Sequence, residues 1–147
     1  MRKITFLAVT VALVSMAGVV DAAEVEVKML NKGSDGTAMV FEPALIKIQA
    51  GDTVKFVASD KGHSAESIKG MMPADATPFA GKMSQDVAVT FDRPGVYGVK
   101  CAPHYGMGMV ALVVVGAPTN VEDAKRVTQP GKAKPAFASL FEKAAAK

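Results

Sequence analysis

The chain of 147 residues has one cysteine, two histidines and no tryptophan, with two tyrosines and seven phenylalanines as its only aromatic rings. A lone thiol, Cys101, excludes an internal disulfide, which needs two. Only two imidazoles, His63 and His104, could serve Ser34, Ser64 or Ser67 as a base, which argues against a nucleophilic triad. The formal net charge is only +3, no dense run of lysine or arginine occurs, and aromatics are sparse, which argues against a nucleic-acid binder. No Gly-rich fingerprint follows Gly106-Met107-Gly108, so that stretch is not a nucleotide loop. Internal repeats and low-complexity segments are missing, apart from an Ala-rich tail.

A bilayer-spanning run is also missing. Ile4 to Val20 is mostly apolar, but at roughly seventeen residues it falls short of the twenty or so a spanning helix needs. Thr5, Thr10, Ser15 and Gly18 interrupt it. Met1-Arg2-Lys3 is a cationic head, and Val20-Asp21-Ala22-Ala23 supplies small residues for cleavage, so residues 1–22 read as a secretory leader. A cut after Ala22 places neutral Val20 at the third position before the bond; a cut after Ala23 would place Asp21 there. Residues 23–147 then form one domain of roughly 125 residues, with a net charge of about +2. Export predicts a periplasmic protein with no membrane attachment after cleavage. An unpaired thiol there is exposed to oxidation unless a metal holds it.

What is present reads as short strands. Val25, Val27 and Met29 alternate with Glu24, Glu26 and Lys28 at a period of two. Lys32 to Gly36 and Ala50-Gly51-Asp52 are turns. Ala38–Phe41, Leu45–Ile48, Thr53–Ala58, Asp86–Phe91 and Val96–Lys100 are further strand candidates, and Met109 to Val115 is a continuous apolar run. This spacing predicts an all-β antiparallel sandwich. Ser67 to Met83, with Gly70, Pro73, Pro78 and Gly81, predicts a long irregular loop. The helical segment spans about 119–147: Asn120 caps a first helix through about Val127, and Phe137, Leu140, Phe141 and Ala144 give a second helix a stripe that packs on the sandwich.

Cys101-Ala-Pro-His104-Tyr-Gly-Met107-Gly-Met109 concentrates the chemistry. A thiolate, an imidazole and a thioether lie within one short stretch at a strand-loop-strand junction, and His63 supplies a second imidazole from an upstream turn. Two histidines, one cysteine and a weak axial methionine make up the donor set of a blue-copper electron-transfer site. Thiolate and thioether favour Cu(I), imidazole accepts either state, and a site held between the two changes little when an electron moves. By spacing alone, Met107 and Met109 compete for the axial place. Met29, Met71, Met72 and Met83 read as core or loop residues.

At these residues the chain resembles the cupredoxins, and among them the pseudoazurins. The resemblance runs through Met29-Leu-Asn31-Lys32-Gly33, Ala38-Met39-Val40-Phe41-Glu42-Pro43, Gly51-Asp52, Asp60-Lys61-Gly62-His63, Glu66-Ser67-Ile68-Lys69 and Val99 to Met109. It implies a Greek-key β-sandwich with two C-terminal helices, a pair that plastocyanin and amicyanin lack. It also implies one type 1 copper ion held by His63, Cys101, His104 and Met109; the shorter spacing of amicyanin would select Met107 instead. Two positions depart from the pattern: Ser64 stands where asparagine is common and Ala102 where threonine is common, and both changes are expected to remove hydrogen bonds behind the ligands.

The resemblance further implies a monomeric periplasmic electron carrier, passing electrons to a copper nitrite reductase or another denitrification or respiratory enzyme, with a cytochrome as a possible donor. Electrons would leave through the edge of His104. An apolar patch of Met39, Pro43, Pro103, Gly106 and Met107 would surround it, with Met39 stacked on the His104 ring, inside a basic ring of Lys32, Lys61, Lys82 and Lys100. Three rivals are weaker. A multicopper enzyme needs more histidines than the chain has. A periplasmic copper chaperone or storage protein would favour an open site rich in methionine or cysteine. A bare structural sandwich leaves the donor cluster unexplained.

Overall fold

The computed structural model describes residue 18 and residues 20–146. Most of the leader expected over residues 1–22 lies outside the described residues. Eight strands build two four-stranded sheets. In chain order they are β1 (Glu24–Lys32), β2 (Ala38–Glu42), β3 (Leu45–Ile48), β4 (Thr53–Val57), β5 (Glu66–Ser67), β6 (Val87–Thr90), β7 (Gly95–Lys100) and β8 (Val110–Val115). The first sheet runs β2-β1-β4-β6 and the second β3-β8-β7-β5.

Strand positions follow the sequence reading closely, but the sandwich is not purely antiparallel. β1 pairs with β4 in parallel, Val25 opposite Val54 and Val27 opposite Phe56. β3 pairs with β8 in parallel, Ile46 opposite Val113. The remaining pairs are antiparallel. Periodicity shows which face of a strand is buried, and strand direction depends on how the chain crosses between the sheets.

The two kinds of strand pattern have one cause. β1 covers the core with Val27 and Met29 and turns Glu24, Glu26 and Lys28 to solvent, so it alternates. β8 is buried on both faces. Met109 and the β8 residues Ala111, Val113 and Val115 face the core between the sheets, while Val110 and Leu112 join a second cluster. That outer cluster lies beneath the C-terminal helices α1 (Val121–Lys125) and α2 (Ala133–Ala145). A strand covered on both sides reads as an unbroken apolar run.

The α2 stripe packs as expected, with Phe137, Leu140 and Phe141 buried and Ala144 partly so. Each buried large side chain contributes about 1.5–3 kcal/mol. Asn120 precedes α1 but makes no side-chain cap bond. Its amide instead spans to β7: Oδ1 accepts from Val96 N–H at 2.8 Å and Nδ2 donates to Val96 O at 3.0 Å. The loop after β5 is irregular, as predicted, but it is anchored. Met71 is fully buried, and Phe79 packs against Phe56 and Phe91. Among the described residues no helix is long and apolar enough to cross a membrane.

Candidate metal centre

Cys101 follows β7 and Met109 precedes β8, so the β7–β8 pairing brings both ends of the connecting loop together: Cys101 N–H donates to Met109 O at 3.0 Å. Between them Ala102–Met107 forms a short 3-10 segment with Pro103 in its first turn. His104 breaks that segment with φ −119° and ψ 16°, a non-helical backbone. Gly108 closes the loop at φ +90°, a conformation glycine adopts without penalty.

His63 arrives from the loop between β4 and β5. Two bonds pin that loop from across the end of the sandwich: Gly62 N–H donates to Ser84 Oγ at 2.8 Å, and Ser84 N–H donates to His63 O at 2.8 Å. The result is a triangle of donor atoms. His63 Nδ1 lies 3.2 Å from His104 Nδ1, Cys101 Sγ lies 3.7 Å from His63 Nδ1, and Cys101 Sγ lies 3.5 Å from His104 Nδ1. A point about 2 Å from all three atoms exists at the triangle's centre, and about 2.0–2.3 Å is a metal–nitrogen or metal–sulfur bond length. Three electron-rich atoms converging on one point fit a cation.

The surroundings prepare these atoms to bind. Cys101 and His63 are fully buried, and His104 is half-buried. Burial holds the His63 imidazole below its usual range, helped by the neighbouring His104 and opposed by Asp60. Burial also pushes the Cys101 thiol up, and backbone N–H groups of Ser64 and His104 offset this only in part. A metal held here would take the place of the thiol proton and meet a neutral His63. His63 Nε2–H donates to Asn31 Oδ1 at 2.8 Å, which leaves the Nδ1 lone pair facing the triangle. Asn31 is itself fixed, since its N–H donates to Asp60 Oδ2 at 2.8 Å.

The other expected residues separate into groups. Met109 is fully buried in the core cluster that contains Cys101, whereas Met107 is 50% exposed. Met39 is half-buried against that core at φ +54°, a rare backbone state for a side-chain-bearing residue. Pro43, Pro103 and Gly106 are exposed. Lys32, Lys61 and Lys82 are exposed, but Lys100 is half-buried with its Nζ 5.1 Å from the centre of the Tyr105 ring. The expectation for Ser64 needs correction. Ser64 is buried and its Oγ accepts from Ala102 N–H at 3.2 Å, so a hydroxyl still ties the two ligand loops together.

Comparison with known proteins identifies the architecture. The family model for copper binding proteins of the plastocyanin/azurin family matches residues 27–116. The pseudoazurin of Paracoccus pantotrophus is 48% identical over 128 residues, which span 86% of this chain and 88% of that protein. The chain belongs to the pseudoazurins. The pseudoazurin of Methylorubrum extorquens is 56% identical over 107 residues, 72% of either chain. The solved structure of a pseudoazurin from Sinorhizobium meliloti superposes with a TM-score of 0.83 at 48% identity, covering 84% of this chain and 98% of that one.

As in other pseudoazurins, the cofactor is one type 1 copper ion, and the chain is an electron carrier for redox partner proteins rather than an enzyme. The mixture of one thiolate and two imidazoles on the triangle suits that ion. Sequence reasoning missed the residues behind the pseudoazurin ligands. Asn31 stood in a matching motif, but its bond to His63 joins positions 32 residues apart. Asp60 likewise stood in a matching motif with no role assigned to it, and nothing in the sequence singled out Ser84.

Proposed function

We propose that His63, Cys101, His104 and Met109 hold copper in an exported carrier that delivers single electrons in the periplasm. The observation that carries this reading is the triangle of His63 Nδ1, His104 Nδ1 and Cys101 Sγ, with sides of 3.2–3.7 Å. The burial of Met109 against the exposure of Met107 favours Met109 as the thioether donor. Bound copper supplies a reversible one-electron couple. The protein's part is to keep its donors in one arrangement for both oxidation states and to exclude water from Cys101 and His63. His104 is the only half-exposed member of the triangle, so its edge is the route by which electrons leave.

The exposed Pro103 and Met107, with half-buried Met39, form the contact around that edge. Lys32, Lys61 and Lys82 provide the positive field that attracts an acidic partner face. Lys100, held over Tyr105, contributes charge from a fixed position. A copper nitrite reductase is the acceptor we favour, with a cytochrome as donor, in a small and short-lived contact.

Export follows from the leader over residues 1–22, leaving residues 23–147 as the mature domain. Ala23 N–H donates to Asp52 Oδ1 at 2.8 Å, and Thr53 N–H donates to Ala23 O at 2.9 Å. A cut after Ala22 leaves the new ammonium of Ala23 on the Asp52 carboxylate, which supports that site over a cut after Ala23.

One experiment tests the reading. The protein is recovered from the periplasmic fraction, weighed intact, loaded with one equivalent of Cu(II) and followed in the visible range through ascorbate and reoxidation. The expected product begins at Ala23 and has an intense thiolate-to-copper band that bleaches and returns. Cys101→Ala is expected to lack the band. A colourless or non-cycling parent with copper bound would overturn the carrier site, and a retained leader would overturn the export reading.

A further inference from the structure

The loop that carries His104 is held from outside by a segment far along the chain. Gly106 O accepts from Lys132 N–H at 2.9 Å. Gly131, at φ +48°, lies so close that a Cβ there would sit 2.5 Å from Gly106 O. A Cβ on Gly108 would likewise sit 3.2 Å from Lys132 O. Tyr105 O–H donates to Gln129 Oε1, and Gln129 Nε2 donates to Met71 Sδ at 2.9 Å. Met71 is fully buried and packed onto β7, where Gly98 N–H donates to Met71 O at 2.7 Å. The strand that leads into Cys101 is thus joined to the residues following His104 through Met71, Gln129 and Tyr105.

Beside the turns of the 3-10 segment, the loop is closed by short-range bonds. His104 N–H donates to Cys101 O at 3.2 Å, Gly108 N–H to Tyr105 O at 3.0 Å and Met109 N–H to His104 O at 3.2 Å. Cys101 makes no side-chain cap, and His104 interrupts the helical path. Such a loop needs external contacts to keep one conformation, and positions 105 and 106 receive them from residues 129–132.

We propose that Gln129–Lys132 is a positioning clamp for the His104 loop, so that the C-terminal segment helps to set copper affinity and reduction potential. The inference rests on the ligand assignment above. Gln129 and Gly131 are positioning residues acting through Tyr105 and Gly106.

The test uses the full mature chain. Tyr105→Phe removes the donor while keeping the ring beneath Lys100, Gln129→Ala removes the acceptor, and the double variant closes the cycle. Copper affinity is read by competition with a chelator, alongside the reduction potential and the thermal midpoint of the metal-free protein. Each single variant is expected to lower affinity by up to roughly tenfold, the low end for losing a partner bonded directly to a ligand, and to move the potential. The double variant is expected to add little to Gln129→Ala, which already removes the bond that Tyr105→Phe breaks and also loses the bond to Met71. Gly131→Ala, which forces Gly106 aside, is expected to move the potential in the same assay. Should Tyr105→Phe and Gln129→Ala match the parent in affinity and potential while only the metal-free midpoint falls, the segment is ordinary packing and the inference fails. A parent that binds no copper overturns the ligand assignment and the clamp together; a copper-binding parent with indifferent variants overturns the clamp alone.

Discussion

His63 owes its orientation to Asn31. An imidazole with a free Nε2 can rotate about two side-chain torsions, and the 2.8 Å bond to Asn31 Oδ1 removes that freedom while fixing the tautomer. Asn31→Ala is therefore expected to lower copper affinity by roughly 10–100-fold with the fold intact, as checked by chelator competition. An affinity equal to the parent's would rule the bond out as an orienting device. Ser64 makes a comparable point about substitution. Its hydroxyl is shorter than an asparagine amide, yet it reaches the Ala102 N–H at 3.2 Å. The residue type alone suggested a lost bond, and the distance between the loops decided otherwise.

The turn between β3 and β4 shows how one side chain gathers several strands. Asp52 Oδ2 accepts from Gln49 N–H at 2.8 Å and Oδ1 from Ala23 N–H at 2.8 Å, so the carboxylate closes the turn and holds the entry to β1. These two N–H donors, Gln49 first, hold the Asp52 carboxyl below its usual range. Thr37 does the same for Asp35, and Ser34 for Glu42. A carboxyl whose folded pKa is depressed binds its proton more readily when unfolded. Its stabilisation is present above the ordinary carboxyl pKa of about 4 and is lost as pH falls through the lower folded value. Asp52→Asn is expected to lower the thermal midpoint near neutrality and to flatten its fall between about pH 5 and about pH 3 in the metal-free protein. Parent and variant curves that stay parallel through that range would remove Asp52 from the acid limb.

At the scale of the molecule, the proposed docking face is a mild positive field around half-buried His104. None of Lys32, Lys61, Lys82 and Lys100 forms an ion pair among the described residues, and the four ion pairs present involve Lys55, Arg93, Lys125 and Arg126. Charges at the rim of a transient contact act mainly on the association rate. Lys61→Gln combined with Lys82→Gln is expected to slow electron transfer to the proposed acceptor, a copper nitrite reductase, at low salt and to flatten its dependence on ionic strength. The visible spectrum should be unchanged. Stopped-flow rates across a salt series check this, and an unaltered slope would place the docking face elsewhere.

The amino-acid sequence by itself determined the donor chemistry, because one thiol, two imidazoles and a methionine-bearing loop leave few alternatives. It also determined most strand positions and the α2 stripe, since both follow from local periodicity. Tertiary structure decided what depends on residues distant in the chain. The parallel pairings of β1 with β4 and of β3 with β8 come from chain crossings that no local pattern records. The donor triangle joins His63 to Cys101 and His104 across 38 and 41 positions, and its dimensions depend on the Ser84 and Asn31 bonds that place the His63 loop. Asn120 satisfied the sequence rule for a helix cap, yet its amide spans to Val96, because a strand passing close by offers both a donor and an acceptor in one geometry. The same reason hides the contact of Gly131 with Gly106: a glycine in a turn and a glycine in a loop look ordinary until the fold presses their backbones together.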